Sequence, residues 1–438
     1  MPGRRRNPAA AAAAIVAAEI ESLSHEGRGI ARVGGKTVFV DNALPGERVM
    51  LRYTHCHKRH DEALATEIVQ PTVDRVTPRC PYYGVCGGCS LQHLKAEAQI
   101  AHKQKTLLEQ LAHIGGLQPA RVLPAVTSTV WNYRRRARLS VRYVQKKAGV
   151  LVGFREKSGH LIADIRSCEV LDSRVSTLLP ALREMLGTLS IRAQIPQIEI
   201  AVDDQHVVLV IRHLTACTED DLCHLQDFAN AQGAIFYLQP GGPESLKPLD
   251  QPTTLKYRLP AHNVDIEFQP LDFIQTHAGI NEAAIDLVIE LLEPQAGDEV
   301  LELFCGLGNF TLPLARRVRR IVGIEGDLGL VERARANAVR NNVTNAEFVQ
   351  ANLTTASPPA WNYTKLLLDP PRNGAQDIIR RLDLRSVQRV VYVSCNPATL
   401  ARDAALLVNE HGLRLESAGV MDMFPHTAHV ESIALFLR

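Results

Sequence analysis

Beginning near residue 272, segments of helical spacing alternate with short apolar runs, and this alternation constrains the fold more tightly than any other feature of the chain. The spacing predicts helix 278–292, strand 299–304, helix 310–319, strand 320–325 and helix 327–340. Strands near 346–350, 365–369 and 389–394 follow, then another helix and further strands toward the C-terminus. Parallel strands need a crossover, and a helix is the compact way to make one. The pattern therefore implies an α/β domain with a parallel sheet and right-handed connections. Its first strand runs into Val300-Leu-Glu-Leu-Phe-Cys-Gly-Leu-Gly-Asn-Phe310, where Gly306 and Gly308 allow a tight turn and the close approach of a ligand. The turn is not G-x-G-x-x-G and no lysine follows it, so a dinucleotide or P-loop reading is weak.

The texture upstream is different. Residues 14–69 read as short strands broken by glycine turns (EGRG, VGGK), the pattern of a small OB-like β-barrel. Within it, residues 36–53 resemble the TRAM domain, a small RNA-binding module. Helical spacing over 93–114 ends at Gly115-Gly116, and residues 131–260 return to strands with intervening helices. The expected organisation is a disordered basic tail over 1–13, a barrel over 14–70, an α+β middle domain over 71–265 and a Rossmann-like domain over 266–438. The opening MPGRRRNPAAAAAAIVAA imitates a signal peptide, but its apolar part is mostly alanine and only weakly hydrophobic. No window approaches the roughly 18 apolar residues that span a bilayer. Nine unevenly placed cysteines also argue against a secreted disulfide scaffold. A cytoplasmic protein with no membrane association is expected.

Four of those cysteines form a pattern. Cys80, Cys86 and Cys89 fall in CPYYGVCGGC, and Cys168 stands apart. Three thiolates plus a distant fourth suit an iron–sulfur cluster or a zinc ion. The spacing matches neither paired CxxC zinc ribbons nor the bacterial ferredoxin run, and buried thiols acting as small apolar residues are the remaining alternative. A net charge of +2 gives no global signal for nucleic acid. Locally, WNYRRRARLSVR (131–142) would place Arg134, Arg136, Arg138 and Arg142 on one face of a strand. That row suits a phosphate backbone, with Trp131 and Tyr133 near enough to stack on bases; a solvated strand face is the plainer alternative.

The ends of the parallel strands carry the candidate chemistry. The second strand closes at Glu325, placed to accept hydrogen bonds from ribose hydroxyls, and Asn352 lies just beyond the third, within reach of an adenine edge. Together with the glycine loop these resemble the S-adenosylmethionine site of class I methyltransferases. Strand four closes with Asp369-Pro-Pro-Arg372, and strand five with Ser394-Cys395-Asn396-Pro397. Asn396 can cap and Pro397 can start a helix, so Cys395 sits beside a helix N-terminus whose dipole should favour its thiolate. Cys305, inside the glycine loop, is expected to be a spectator. Uracil C5 is a poor nucleophile. A thiolate adding to C6 makes C5 nucleophilic, and product release then requires a base for the C5 proton. Glu431, in Met423-Phe-Pro-His-Thr-Ala-His-Val-Glu431 with His426 and His429, can supply that base.

As a set, the TRAM-like barrel, the four cysteines, FxQ, FCGLGNF, GIE, DPPR, SCNP and HTAHVE resemble the RNA uracil-5-methyltransferase family, over nearly the whole chain. Within that family the resemblance lies with the branch that modifies large-subunit ribosomal RNA. It implies a 4Fe-4S cluster held by Cys80, Cys86, Cys89 and Cys168. It implies S-adenosylmethionine bound at Gln275, Phe304, Asn309, Glu325, Asn352 and Asp369. It further implies Cys395 as nucleophile, Glu431 as base and 23S rRNA as partner. A monomer is expected. The tRNA-modifying branch, by this resemblance, lacks barrel and cluster. Other readings are a radical S-adenosylmethionine enzyme, a non-catalytic RNA-binding protein on a methyltransferase fold, and a cytosine-C5 methylase, which usually carries a second cysteine that DPPR lacks.

Overall fold

The computed structural model describes residues 15–147, 149–157, 159–355 and 361–438, so the expected basic tail over 1–13 lies outside the described residues. The described chain forms two compact units. One takes the chain up to Lys103 together with two returning pieces, Arg155–His160 and Pro425–His429. Its six-stranded sheet is ordered Ile15–Glu19, Arg48–Cys56, His60–Gln70, Lys36–Asp41, Gly29–Val33, Ser22–Leu23. Alternation along Arg48–Cys56 turns Val49, Leu51 and Tyr53 inward, where they meet Val38, Val40 and Ala63 in one apolar cluster.

The second unit holds the rest, from Gln104 onward apart from those pieces. Its first half is a six-stranded sheet ordered Lys247–Pro248, Ala234–Gln239, Val207–Arg212, Gln197–Val202, Arg136–Val144, Gly149–Gly153. Helices Ser173–Thr188 and Glu219–Gln232 accompany it, the latter opened by a capping box between Thr218 and Asp221. Packing does not pause at 265/266. A single apolar cluster runs from Ala201, Val208 and Tyr237 through Tyr257 and Ile266 to Ile280 and Val300.

The second half is the α/β domain. Helix α1 (Ala278–Leu292) leads to β1 (Glu299–Leu303), α2 (Thr311–Ala315), β2 (Arg320–Glu325), α3 (Leu328–Arg340), β3 (Ala346–Gln350), β4 (Lys365–Leu368), α4 (Gln376–Ile379), β5 (Arg389–Ser394), α5 (Pro397–Asn409), β6 (Arg414–Met421) and β7 (Glu431–Leu437). The sheet is ordered β3-β2-β1-β4-β5-β7-β6, with Arg121–Val122 added beside β6. Strands β1 to β5 are parallel and β7 is inserted antiparallel between β5 and β6. The order reverses direction at β1, so the carboxyl ends of β1 and β4 flank the crevice where open α/β sheets bind ligands.

Two sequence expectations shift. Helix α2 is a single turn and a bit, shorter than 310–319, because the Asp298 carbonyl takes the N–H groups of Arg319 and Arg320 and draws the chain into β2. The strand expected from 131 begins at Arg136, since Asn132 turns the chain with φ +54°.

Candidate active site

The crevice is built from the ends of β1, β2, β4, β5 and β7. At the end of β1, Phe304 sits in the left-handed region at φ +66°, a conformation that costs a non-glycine residue about 1–3 kcal/mol and concentrates at functional sites. Hydrogen bonds from Phe304 N and Cys305 N to Ile324 O hold it there. Gly308, at φ +88°, completes the turn. Asn309 is locked from two sides: its Oδ1 accepts from Tyr257 OH (2.9 Å) and Asn281 Nδ2 (3.0 Å), and its Nδ2 donates to Asn281 Oδ1 (2.8 Å). The side chain thus fixes the loop, leaving only a second Nδ2 hydrogen for a ligand.

Glu325 ends β2 with its carboxylate gathering backbone donors, Gly306 N at 3.1 Å and Gly326 N at 2.7 Å. Asn352, exposed beyond β3, folds its side chain into a local turn by accepting from Thr354 N and Thr354 Oγ1. Gln275 is half-buried, and its carbonyl receives Arg135 Nε at 3.2 Å. Beneath the loop lies Glu302, 1 % exposed, accepting from Thr311 Oγ1 at 2.6 Å. Burial pushes its carboxyl up to about 8, with Asp369 and Glu325 adding to the effect. Cys305 is buried beside Gly323, and desolvation drives its thiol far from ionisation, as a spectator requires.

Cys395 and Glu431 come together. Cys395 Sγ and a Glu431 carboxylate oxygen lie within 4.8 Å of each other. Glu431 is 9 % exposed and opens β7, so it is no surface charge. Asp369, at the end of β4, faces Glu431, and burial with that neighbour pushes its carboxyl up to about 8. The expectation of a dipole-stabilised thiolate is corrected here. Desolvation first, then Glu431 and Asp369, push the Cys395 thiol up to about 11, against an opposing pull from Arg372. A helix dipole contributes about 0.3–1 kcal/mol, less than roughly tenfold in acidity, and loses to burial plus two carboxylates.

The arginine row is also revised. Arg136 is spent on the carbonyls of Pro270 and Leu271 and on Glu199, and Arg134 stands between the Phe154 and Phe424 rings. Arg135 is buried, its guanidinium 4.9 Å from the Tyr257 ring centroid. Tyr133 is stacked on His277 in the interior, unavailable to a base. Arg138 and Arg142 remain exposed. Sequence reasoning missed Asn281, Tyr257 and Glu302. The signal was present for Asn281 and Glu302: Asn281 falls on the apolar face of its helix with Ala284, Ile285 and Val288, and Glu302 lies between Leu301 and Leu303.

Cys80, Cys86 and Cys89 lie on one loop of the first unit. There Cys86 N donates to Tyr82 O (2.9 Å), Gly87 N to Arg155 O (2.9 Å), and Gly88 N to Cys86 Sγ (3.4 Å). A Cβ on Gly87 would stand 2.9 Å from Arg155 O, so the backbone approaches as closely as it does only with glycine. Cys168 lies in the second unit, buried, its N–H donating to Ser176 Oγ at 2.8 Å. His426, at φ +66°, belongs to the first unit, where its carbonyl accepts from Ser90 N and Leu91 N.

A parallel sheet reversed at β1, a glycine loop over its carboxyl edge and an acid ending β2 define the S-adenosylmethionine-dependent methyltransferase class. Comparison with known proteins narrows this. Residues 95–438 match the model of the tRNA (uracil-5-)-methyltransferase family and residues 14–59 that of the TRAM domain, and the chain belongs to that methyltransferase family. It is 50% identical over 425 residues to the 23S rRNA (uracil(1939)-C(5))-methyltransferase RlmD of Alkalilimnicola ehrlichii, covering 96% of each chain. It is also 50% identical over 427 residues to the RlmD of Stenotrophomonas maltophilia, covering 95% of this chain and 96% of that one. Among solved structures it resembles the Pyrococcus abyssi tRNA (uracil-54, C5)-methyltransferase in complex with S-adenosyl-L-homocysteine, with TM-score 0.75, 26% identity, and coverage of 96% of this chain and 99% of that one. Among the described residues no helix is long and apolar enough to cross a membrane.

Proposed function

We propose that this protein transfers a methyl group from S-adenosylmethionine to C5 of a uridine in 23S rRNA, working as a cytoplasmic monomer. The observation that carries the reading is the pairing of Cys395 with Glu431 beside Asp369, at the ligand-binding edge of a methyltransferase sheet. The ribosomal target is supported by relatives 50% identical over nearly full length, against 26% for the tRNA enzyme.

The cofactor supplies an electrophilic methyl group when bound. Gln275, Phe304, Asn309, Glu325, Asn352 and Asp369 are assigned to hold it, Asn309 acting mainly through the loop it locks. Cys395, once deprotonated, adds to C6 of a uridine turned out of its stack, and the electron pair moves to C5. C5 takes the methyl group; Glu431 then removes the C5 proton, the C6–S bond breaks, and the thiolate is regenerated.

An all-sulfur donor set suits an iron–sulfur cluster, and the Gly88 N–H on Cys86 Sγ is the kind of bond that tunes one. We assign a 4Fe-4S cluster to Cys80, Cys86 and Cys89, with Cys168 as fourth ligand on the sequence pattern, in a structural role bracing the RNA-binding region. The deciding experiment is methyl transfer from labelled cofactor to unmodified 23S rRNA and to tRNA, with Cys395→Ala alongside. Label as 5-methyluridine in 23S rRNA alone, lost in the variant, supports the proposal. Label in tRNA moves the protein to the other branch, and activity in Cys395→Ala ends the covalent mechanism.

A further inference from the structure

The loop after Asp369-Pro-Pro carries Arg372, an exposed arginine whose main chain is gripped by the helix that follows the cysteine. Asn396 Nδ2 donates to Arg372 O at 3.1 Å, while Asn396 Oδ1 caps α5 by accepting from Ala398 N. Thr399 Oγ1 lies 3.3 Å from the same carbonyl and 3.0 Å from Asn396 O, so its one proton is shared between the loop and its own helix. One turn on, Arg402 Nη2 donates to Asn373 O at 2.8 Å. Asp403 Oδ2 accepts from both Ala375 N and Tyr392 OH at 2.6 Å, and its Oδ1 accepts from Arg402 Nε at 2.9 Å. Asp403 is 0 % exposed, and a buried carboxylate persists only when paired and fully bonded, as this one is. Gly374 sits at φ +78°, and a Cβ there would stand 2.5 Å from Asp403 Oδ2 and 2.6 Å from Arg402 Nη2. The loop lies this close because that residue is glycine.

We propose that Asn396, Thr399, Arg402 and Asp403 form a clamp that fixes Arg372 beside the nucleophile, making Thr399 and Asp403 positioning residues for the activation of Cys395. The inference rests on Cys395 being the nucleophile. Asn396 is peptide-bonded to Cys395, so its hydrogen bond to the Arg372 carbonyl sets the distance between arginine backbone and thiol. The cation matters because the carboxyl groups of Asp369 and Glu431 both oppose ionisation of the thiol. Asp369 lies on the same loop as Arg372, and Glu431 opens β7, two residues beyond His429 in the chain. Arg372 opposes both.

The test uses Asp403→Asn and Thr399→Val in the full chain. Alkylation of Cys395 by iodoacetamide is followed across pH by mass spectrometry of its peptide, with S-adenosylmethionine affinity and turnover measured in parallel. Asp403→Asn should alkylate at least about threefold more slowly below the midpoint, which moves to higher pH by roughly half a unit or more. Turnover should fall by at least that factor while cofactor affinity stays within about twofold. Thr399→Val, which cannot disturb the core charge, should shift the same way by less, and Thr399→Ser should restore the profile. An unchanged profile in Thr399→Val, or a loss of cofactor affinity in step with turnover, overturns the clamp. Methylation retained by Cys395→Ala would instead remove the nucleophile assignment, independently of any shift.

Discussion

Replacing Glu431 by Gln preserves volume and deletes a charge that faces both Cys395 and Asp369. With Cys395 Sγ and a Glu431 oxygen within 4.8 Å, an effective dielectric of about 20 gives roughly 3 kcal/mol between two unit charges. Partial solvent access to the thiol and relaxation of both side chains reduce this to an expected shift of about one pH unit. The thiol, pushed up to about 11 in the native protein, should therefore titrate about one unit lower in Glu431→Gln. Alkylation of Cys395 at pH 8 should then run roughly tenfold faster. Turnover should move the opposite way, falling by about 10²–10⁴, because nothing removes the C5 proton from the methylated adduct. A protein–RNA adduct should accumulate on denaturing gels. The opposed signs are the diagnostic: a more reactive cysteine in a slower enzyme. A midpoint that stays in place or rises would refute the claim that this carboxylate holds the thiol protonated, and the absence of any adduct would move the base elsewhere.

Glu302 is raised in the folded state from 4.5 to about 8, so its contribution to stability is complete below pH 4.5 and is lost as pH rises through 8. Glu302→Gln can still accept from Thr311 and should flatten the fall in thermal unfolding temperature across that window; a parallel fall in the variant would locate the dependence elsewhere. Gly323→Ala would set a Cβ 2.8 Å from Cys305 Sγ and 3.2 Å from the Phe348 ring. It should cost about 1–3 kcal/mol by denaturant unfolding, partly recovered by adding Cys305→Ala. Asn281→Ala strips the paired amide from Asn309 and should weaken S-adenosylmethionine binding by about tenfold in calorimetry, with Cys395 alkylation unchanged. Cys86→Ser should lose iron and acid-labile sulfide together; full iron content would exclude Cys86 as a ligand.

The α/β half was legible because helical and strand periods alternate without interruption, and because glycine, acid and cysteine fall at successive strand ends where only one edge of the sheet can use them. Placement at that edge followed from topology. The electrostatics did not, because acidity depends on neighbours from distant segments. Cys395 beside a helix N-terminus reads as a thiolate in sequence, while burial, joined by Glu431 and Asp369 from other strands, reverses the sign. The arginine row failed for a related reason. Period-two alternation tells which side chains share a face but not what covers it, and Pro270, Leu271 and the Phe424 ring arrive from more than a hundred residues away. Asp403 was hidden by the opposite problem: it occupies a core-facing position of α5, where an acid reads as a surface residue until Tyr392 and Ala375 are seen to bond it.

Asp369 and Cys395 both lie against Glu431, whose charge makes either of them harder to ionise. Both groups are biased toward holding their protons: Asp369 is pushed up to about 8 and Cys395 up to about 11. A cysteine kept as a thiol is inert toward stray electrophiles and oxidants, which matters at a half-buried position. Activation then requires a change in local charge. Glu431 and Asp369 oppose ionisation of the thiol, and Arg372 favours it. The fold holds those two influences by different means. Glu431 is set by the ladder of β7, paired on both sides, and Arg372 by hydrogen bonds from the helix that begins just after the cysteine. A strand registry cannot adjust without unpairing the sheet, and a loop bonded at successive carbonyls cannot shift without breaking those bonds. Both the acid and the arginine are therefore held through the main chain at set places relative to this cysteine.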